Sequence, residues 1–254
     1  MRHFFTLLAH ELRMLIIAPA SYIAAVLYLL LMASMYYLAL SKAAEAPQEM
    51  TPSVWFFQTF WVPVWFMVPL LTMKSIAEER RMGTLETLMT TPATALQIVL
   101  SKFLSAYLFY MLLWALTAPF PYIVNAYAGE SVPLERLFDP ASMIGGFIFI
   151  AISGLLYVAI GIFASSLTRN QLVAGMLSFC MLFVIILSGR LMLEFPLIDV
   201  EWINHSRDLV DYFNSFEHLE DFSRGVLDSR PLFLYGSLTM LLLGITTLVV
   251  ESKA

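Results

Sequence analysis

Catalysis needs nucleophiles, acids, bases or metal ligands that converge, and this chain offers few sets of residues able to do so. His205 stands three positions before Asp208, and His218 lies beside Glu217 and three positions before Asp221. Either group could ligate a metal, but neither has the His-Glu-x-x-His spacing that puts two imidazoles on one helical face. Ser153, followed by Gly154, sits in an apolar run that contains no histidine to activate a serine nucleophile, because His3, His10, His205 and His218 all fall elsewhere. The single cysteine, Cys180, has no partner for an intrachain disulfide. The Gly-x-x-x-x-Gly-Lys-Ser/Thr phosphate loop is absent from the sequence. These residues point to a chain that is not an enzyme and holds no catalytic group, cofactor or metal of its own.

The most informative charged stretch is instead Lys74-Ser75-Ile76-Ala77-Glu78-Glu79-Arg80-Arg81-Met82-Gly83-Thr84-Leu85-Glu86-Thr87-Leu88-Met89-Thr90-Thr91-Pro92. Gly83 can end a helix in the left-handed conformation, and Thr84 can cap a new one whose first turn holds Glu86 at the positive end of the dipole. Thr91 before Pro92 repeats the cap-and-start signal. The spacing predicts a short capped helix set crosswise between two others.

The elements that must position this stretch follow from composition. Hydrophobic residues make up 60% of the 254 positions and charged residues only 13%, about half the charge of an ordinary soluble domain. Such a chain cannot cover a globular surface with polar groups, which excludes a soluble enzyme. A membrane-crossing helix needs roughly 20 apolar residues. Six segments satisfy this, at about 20–40, 54–73, 103–124, 144–167, 172–189 and 232–250, and none contains Asp, Glu, Lys or Arg. Proton- or sodium-coupled carriers commonly place such groups on the ion route, so energy is expected to come from outside the chain.

Orientation follows from the connecting segments. With the N-terminus inside, the inner pieces hold Arg2, Arg13, Lys74, Arg80, Arg81, Lys102, Arg169 and Lys253 against Glu11, Glu78, Glu79, Glu86 and Glu251. The outer pieces hold most of the acidic residues, so the net charge of −5 is positive inside and strongly negative outside. Both termini are expected to be cytoplasmic, and the acidic balance excludes nucleic acid as a partner.

Residues 1–18 read as an amphipathic helix lying in the interface. Arg2, His3, Thr6, His10 and Arg13 share one sector, and His10, Glu11 and Arg13 interrupt what would otherwise resemble a signal peptide. Glu11 falls on the apolar side. It either snorkels to water or meets a basic partner such as Lys74, Arg80 or Arg81. Between the fifth and sixth spans, residues 190–230, Leu209, Phe213, Phe216, Leu219, Phe222 and Val226 recur at three and four positions, and Gly225 after Arg224 offers a helix stop. This predicts one or two short outer helices.

The string Ala77-Glu78-Glu79-Arg80-Arg81-Met82-Gly83-Thr84-Leu85-Glu86-Thr87-Leu88, then Pro92 and Lys102, resembles the membrane subunits of ABC transporters of the ABC-2 class. His10-Glu11-Leu12 followed by Pro19 is similar to the entrance helix of that family. Within the class, His218-Leu219-Glu220-Asp221-Phe222-Ser223-Arg224-Gly225-Val226-Leu227-Asp228 resembles the gliding-motility-associated permease branch. The resemblance implies an all-α polytopic permease domain over 1–254, a pair of permease chains, and a separate ATPase subunit that binds ATP and magnesium. It also implies an auxiliary membrane protein with an outer domain and a place in the bacterial inner membrane. It assigns 74–97 to coupling, with Glu78, Glu79, Arg80, Arg81 and Glu86 as docking charges, Gly83 as the corner, Thr84 as the cap and Leu88 as an apolar knob. The competing readings are a membrane-embedded enzyme and a non-transporting scaffold that use the acidic outer loop.

Overall fold

The computed structural model describes residues 2–45, 52–128, 139–194, 214–225 and 228–253, and among these every regular element is a helix. In chain order they are α1 (Arg2–Ile17), α2 (Pro19–Glu45), α3 (Pro52–Gln58), α4 (Trp61–Thr72), α5 (Ala77–Met82) and α6 (Thr84–Met89). There follow α7 (Ala95–Ala115), α8 (Phe120–Ala128), α9 (Pro140–Leu167), α10 (Gln171–Glu194), α11 (Ser215–Ser223) and α12 (Ser229–Lys253). His205, Asp208, Leu209 and Phe213 lie outside the described residues, as do Arg136, Arg207, Val226 and Leu227.

Four stretches are long and apolar enough to cross a membrane: Ser21–Lys42, Ala95–Tyr127, Pro140–Leu167 and Ser229–Lys253. The second expected span, which carries Pro63 and Pro69, is bent, with Pro52–Gln58 and Trp61–Met82 meeting at 47° and qualifying only together. Pro63 has no N–H for the Thr59 carbonyl, which accepts from Val62 instead, so the α-helical ladder cannot continue through the bend. The apolar part of this segment ends at Met73, ahead of Lys74. The segment expected at 172–189 falls in α10, of which Gln171–Leu187 ranks as a shorter apolar helix. The third segment also departs from a single rod. Pro119 and Pro121 remove the donors for the Ala115 and Thr117 carbonyls, which accept from the Ala118 and Phe120 amides in tighter turns between α7 and α8 instead.

Side-chain chemistry sets several helix starts. Asp139 caps α9 by accepting from the Ala141 and Ser142 amides, with Pro140 in the first turn. Thr94 caps α7 in a reciprocal box with Gln97. The start expected at Thr91-Pro92 is therefore displaced to Thr94, and the Thr91 hydroxyl bonds back to the Leu88 carbonyl at 2.6 Å, closing α6.

Helix α9 is the centre of the bundle. It packs against α3, α4, α5, α7, α10, α11 and α12, and Ile150, Tyr157, Val158, Ala159, Ile162 and Ala164 are wholly buried. Glycine permits these contacts. A Cβ on Gly154 would lie 2.5 Å from the Tyr110 ring, and one on Gly161 would lie 2.2 Å from Thr72 Oγ1. Close approach of this kind provides the dispersion that holds membrane helices together where lipid offers no hydrophobic drive. Helix α2 is peripheral, and Tyr22, Ile23, Val26, Leu27 and Leu30 are more than half exposed. At hydrocarbon depth that exposure suits a lipid-facing surface.

Candidate functional site

Helices α5 and α6 meet at a corner made by Gly83, whose φ of +72° is the left-handed conformation that a side chain disfavours. Its amide bonds to the Glu79 carbonyl and terminates α5. No side chain caps α6: the Thr84 hydroxyl bonds back to the Glu79 carbonyl at 3.3 Å, so Thr84 fastens the corner where a cap was expected. Thr84 and Glu86 are exposed, together with Arg81, Met82 and Thr87. Leu85, 2% exposed, anchors α6 to the core. Leu88, expected as the apolar knob, is half-buried, and Met82 is the large apolar side chain standing out at 59% exposure.

Three attachments fix this corner to the bundle. The first is a buried ion triad. Lys102 Nζ on α7 donates to Glu11 Oε1 on α1 at 2.7 Å and to Glu79 Oε1 on α5 at 2.6 Å, with the lysine side chain 2% exposed. Glu11 therefore neither snorkels nor reaches Lys74, Arg80 or Arg81. Helix α1 packs against α7, which brings the Glu11 carboxylate to Lys102, and α5 presents Glu79 to the same ammonium. The second oxygen of Glu79 is buried without a hydrogen-bond partner. Burial pushes the Glu79 carboxyl above the ordinary carboxylate range, and the Lys102 ammonium pulls against that rise.

The second attachment is a cap supplied from a distant helix. Ser165 Oγ, near the end of α9, accepts from the amides of Ile76 at 3.1 Å and Ala77 at 3.0 Å. It also bonds to the Met73 carbonyl at 3.2 Å. No neighbouring side chain caps α5, so this one hydroxyl satisfies amides that a helix start leaves unpaired. The third is Arg80, whose guanidinium donates to the Ser166 carbonyl at the end of α9. Burial and the Arg169 cation both lower the pKa of Arg80. Glu78 is half-buried and pairs loosely with exposed Arg81 at 3.8 Å.

The charged stretch thus divides in two. Glu79 and Arg80 turn inward and hold the corner, while Arg81, Met82, Thr84 and Glu86 face outward. Sequence reasoning assigned all the charges one docking task. It also missed Ser165 and Ser166, which carry no signal beyond being a polar pair at the end of an apolar run. Lys102 did carry one, because a cation at the margin of an apolar helix requires a partner.

At the opposite end of the bundle α11 docks through a second polar group. Ser215 Oγ accepts from Tyr157 at 3.2 Å and Tyr235 at 3.1 Å, and His218 Nδ1 lies 3.3 Å from the Tyr235 hydroxyl. Burial lowers the pKa of His218, against the opposing influence of Asp221 and Asp228. Among the described residues no three His, Cys, Asp or Glu side chains converge on a metal position.

A bundle with apolar outer faces, bent and unbent spanning helices, and a charged corner clamped to one end is a multi-pass helical membrane protein. The chain belongs to the ABC-2 transporter family: the model for the ABC-2 family transporter protein matches residues 5–251. A comparison with curated proteins finds no match. Membership makes the chain a membrane permease of an ABC transporter, a transport subunit.

Proposed function

We propose that this chain couples ATP hydrolysis by a separate ATPase subunit to export across the bacterial inner membrane. Two permease chains form the conduit, each with six spans and both termini in the cytoplasm. Helix α10 supplies the fifth span, since its 24 residues extend about 36 Å at 1.5 Å per residue, and α3 with α4 forms the bent second. The α5–Gly83–α6 corner is the docking element, and the partner ATPase holds ATP and magnesium. An auxiliary membrane protein with an outer domain meets the α11 end, in keeping with the resemblance of 218–228 to the gliding-motility-associated branch.

The carrying observation is the attachment of an exposed corner to α1, α7 and α9 at once. A partner pushing on Arg81, Met82 and Glu86 would load three elements of the bundle through Lys102, Ser165 and Arg80. The test is co-purification with the ATPase, followed by reconstitution and measurement of ATPase stimulation and transport. Gly83→Val should insert normally yet lose both activities. Normal stimulation and transport by that variant would sink the assignment, and failure of any nucleotide-binding protein to associate with the wild type would sink the permease mechanism itself.

A further inference from the structure

Three cations gather at the corner end of α9. Ser165 Oγ bonds to the Met73 carbonyl at 3.2 Å, which places Lys74, the next residue, beside that end. The Ser166 carbonyl accepts from the Arg80 guanidinium, and Arg169 follows three positions later in the turn to α10. That turn closes on the same place, since a Cβ on Gly175 would lie 3.5 Å from Met73 Sδ. Arg80 and Arg169 are near enough for the charge of one to oppose the charge of the other. Among the described residues no carboxylate forms an ion pair with any of the three: Glu79 is taken by Lys102, and Glu78 faces Arg81. Like charges held close without a counter-ion are costly, and the positive end of α10 at this turn adds to the excess. The flanking residues set the depth. The apolar part of the second span ends at Met73 and α9 ends at Leu167, while Leu172 and Met176, four apart on the first turns of α10, are exposed by 73% and 68%. The cations therefore stand where hydrocarbon gives way to headgroups, with apolar surface next to them.

We propose that Lys74, Arg80 and Arg169 bind the phosphate of an anionic phospholipid in the leaflet at the corner end, with its acyl chain against Leu172 and Met176. A soluble acidic partner would match the charge but leave the two apolar side chains uncovered, whereas a phospholipid answers both. Arg80 is the fixed member. Its bond to the Ser166 carbonyl orients the guanidinium and leaves further N–H donors for a phosphate oxygen. Lys74 and Arg169 are exposed and supply the rest of the charge. Phosphatidylglycerol is preferred to phosphatidylcholine, whose own ammonium would meet the three cations. The site depends on the chain lying in a membrane and not on the mechanism of ATPase coupling.

The test places the full chain in phosphatidylcholine nanodiscs containing a trace of photoreactive phosphatidylglycerol or phosphatidylcholine. Both probes carry the same diazirine near the carbonyl of one acyl chain, and labelled residues are mapped by mass spectrometry. On the wild-type protein the phosphatidylglycerol probe should label Leu172 and Met176 several-fold more strongly than the phosphatidylcholine probe. The two should label Leu248 equally, an exposed position at the corner end of α12. Combining Lys74→Gln with Arg169→Gln should remove the preference, and combining Lys74→Arg with Arg169→Lys, which keeps the charges, should retain it. Soluble glycerol phosphate in millimolar excess at matched ionic strength should leave the preference intact, because it has no acyl chain. A melting profile in detergent checks that each variant is folded. Equal labelling of α10 by the two probes on the wild type, a preference that persists in the folded glutamine variant, or displacement by glycerol phosphate would each overturn the proposal. Loss of the preference when an ATPase partner binds would assign the cations to that protein and overturn it as well.

Discussion

Replacing Lys102 with methionine tests whether the triad holds the corner. Methionine keeps the unbranched apolar stem of the buried side chain, one atom shorter, but removes the ammonium that both carboxylates share at 2.7 and 2.6 Å. Glu11 and Glu79 side chains are 21% and 18% exposed, so water replaces little of the lost partner. Removing one member of a buried ion group costs about 3–5 kcal/mol, because the remaining charge is left uncompensated. Here two like charges remain, so one carboxyl will retain a proton to higher pH than either would alone. The loss should accordingly be larger at pH 8 than at pH 5.

The control is the neutral triad Glu11→Gln, Glu79→Gln and Lys102→Met in one chain. Exchanging the whole group for uncharged residues removes the desolvation cost together with the attraction, and should restore stability to within about 1 kcal/mol of the wild type or better. Unfolding in detergent at both pH values gives the stability differences. Hydrogen exchange on α1 and α5 shows whether the loss is local to the elements Lys102 ties together. A cost of roughly 1 kcal/mol or less for Lys102→Met alone, or a loss independent of pH, would refute the assignment of the triad as the main tie.

At Gly83 a built Cβ meets nothing within 4 Å, so any cost is conformational. Val should lose about 1–2 kcal/mol of corner stability and Asn clearly less, as measured by exchange of the α5 and α6 amides; equal costs would point to crowding instead. Ser165→Ala leaves the Ile76 and Ala77 amides without their acceptor and should cost about 1–3 kcal/mol, with protection falling first at 76–80. His218 is held below its ordinary value of 6.5 by burial, so the unfolded state binds a proton more readily than the folded one. The docking of α11 should therefore be full above pH 6.5, weaken as pH falls below it, and level off beneath the lowered folded-state pKa. Exchange on 215–223 should follow that course, and His218→Gln should flatten it.

Periodicity and charge made four of the spanning segments, the amphipathic first helix and the glycine corner legible, because each rests on local chemistry. Gly83 is read from one residue type and one φ. The Thr91-Pro92 signal was equally plausible by local rules, but Thr94 has Gln97 three positions later to complete a reciprocal cap, and the box prevailed. The attachments of α5 were not legible. Ser165 and Ile76 are 89 positions apart, and nothing in either neighbourhood declares the other. The bend in the second span was half legible, since Pro63 and Pro69 were visible but a proline gives neither the angle nor the position where the helix resumes.

Helix α9 joins the two ends of the molecule. Ser165 and Ser166 hold the coupling corner, and 20 positions earlier a Cβ on Gly145 would lie 1.8 Å from the Phe222 carbonyl of α11. That separation is about 30 Å along a helix, the thickness of a hydrocarbon core. Between the ends, Gly146 against Phe57, Gly154 against Tyr110 and Gly161 against Thr72 leave α9 no room to slide past its neighbours. A displacement applied at the corner must carry α9 as a body or be absorbed near Ser165. The alternatives separate in a double-mutant cycle of Ser165→Ala with Gly145→Ala, read from exchange on α11 and from global unfolding. Sites this far apart ordinarily add within about 0.5 kcal/mol. If α9 transmits as one rod, loosening the Ser165 end should change the cost of Gly145→Ala by more than that amount, and protection of 215–223 should fall in Ser165→Ala alone. Additive energies with α11 unperturbed in Ser165→Ala would place the compliance at the corner and refute the rod.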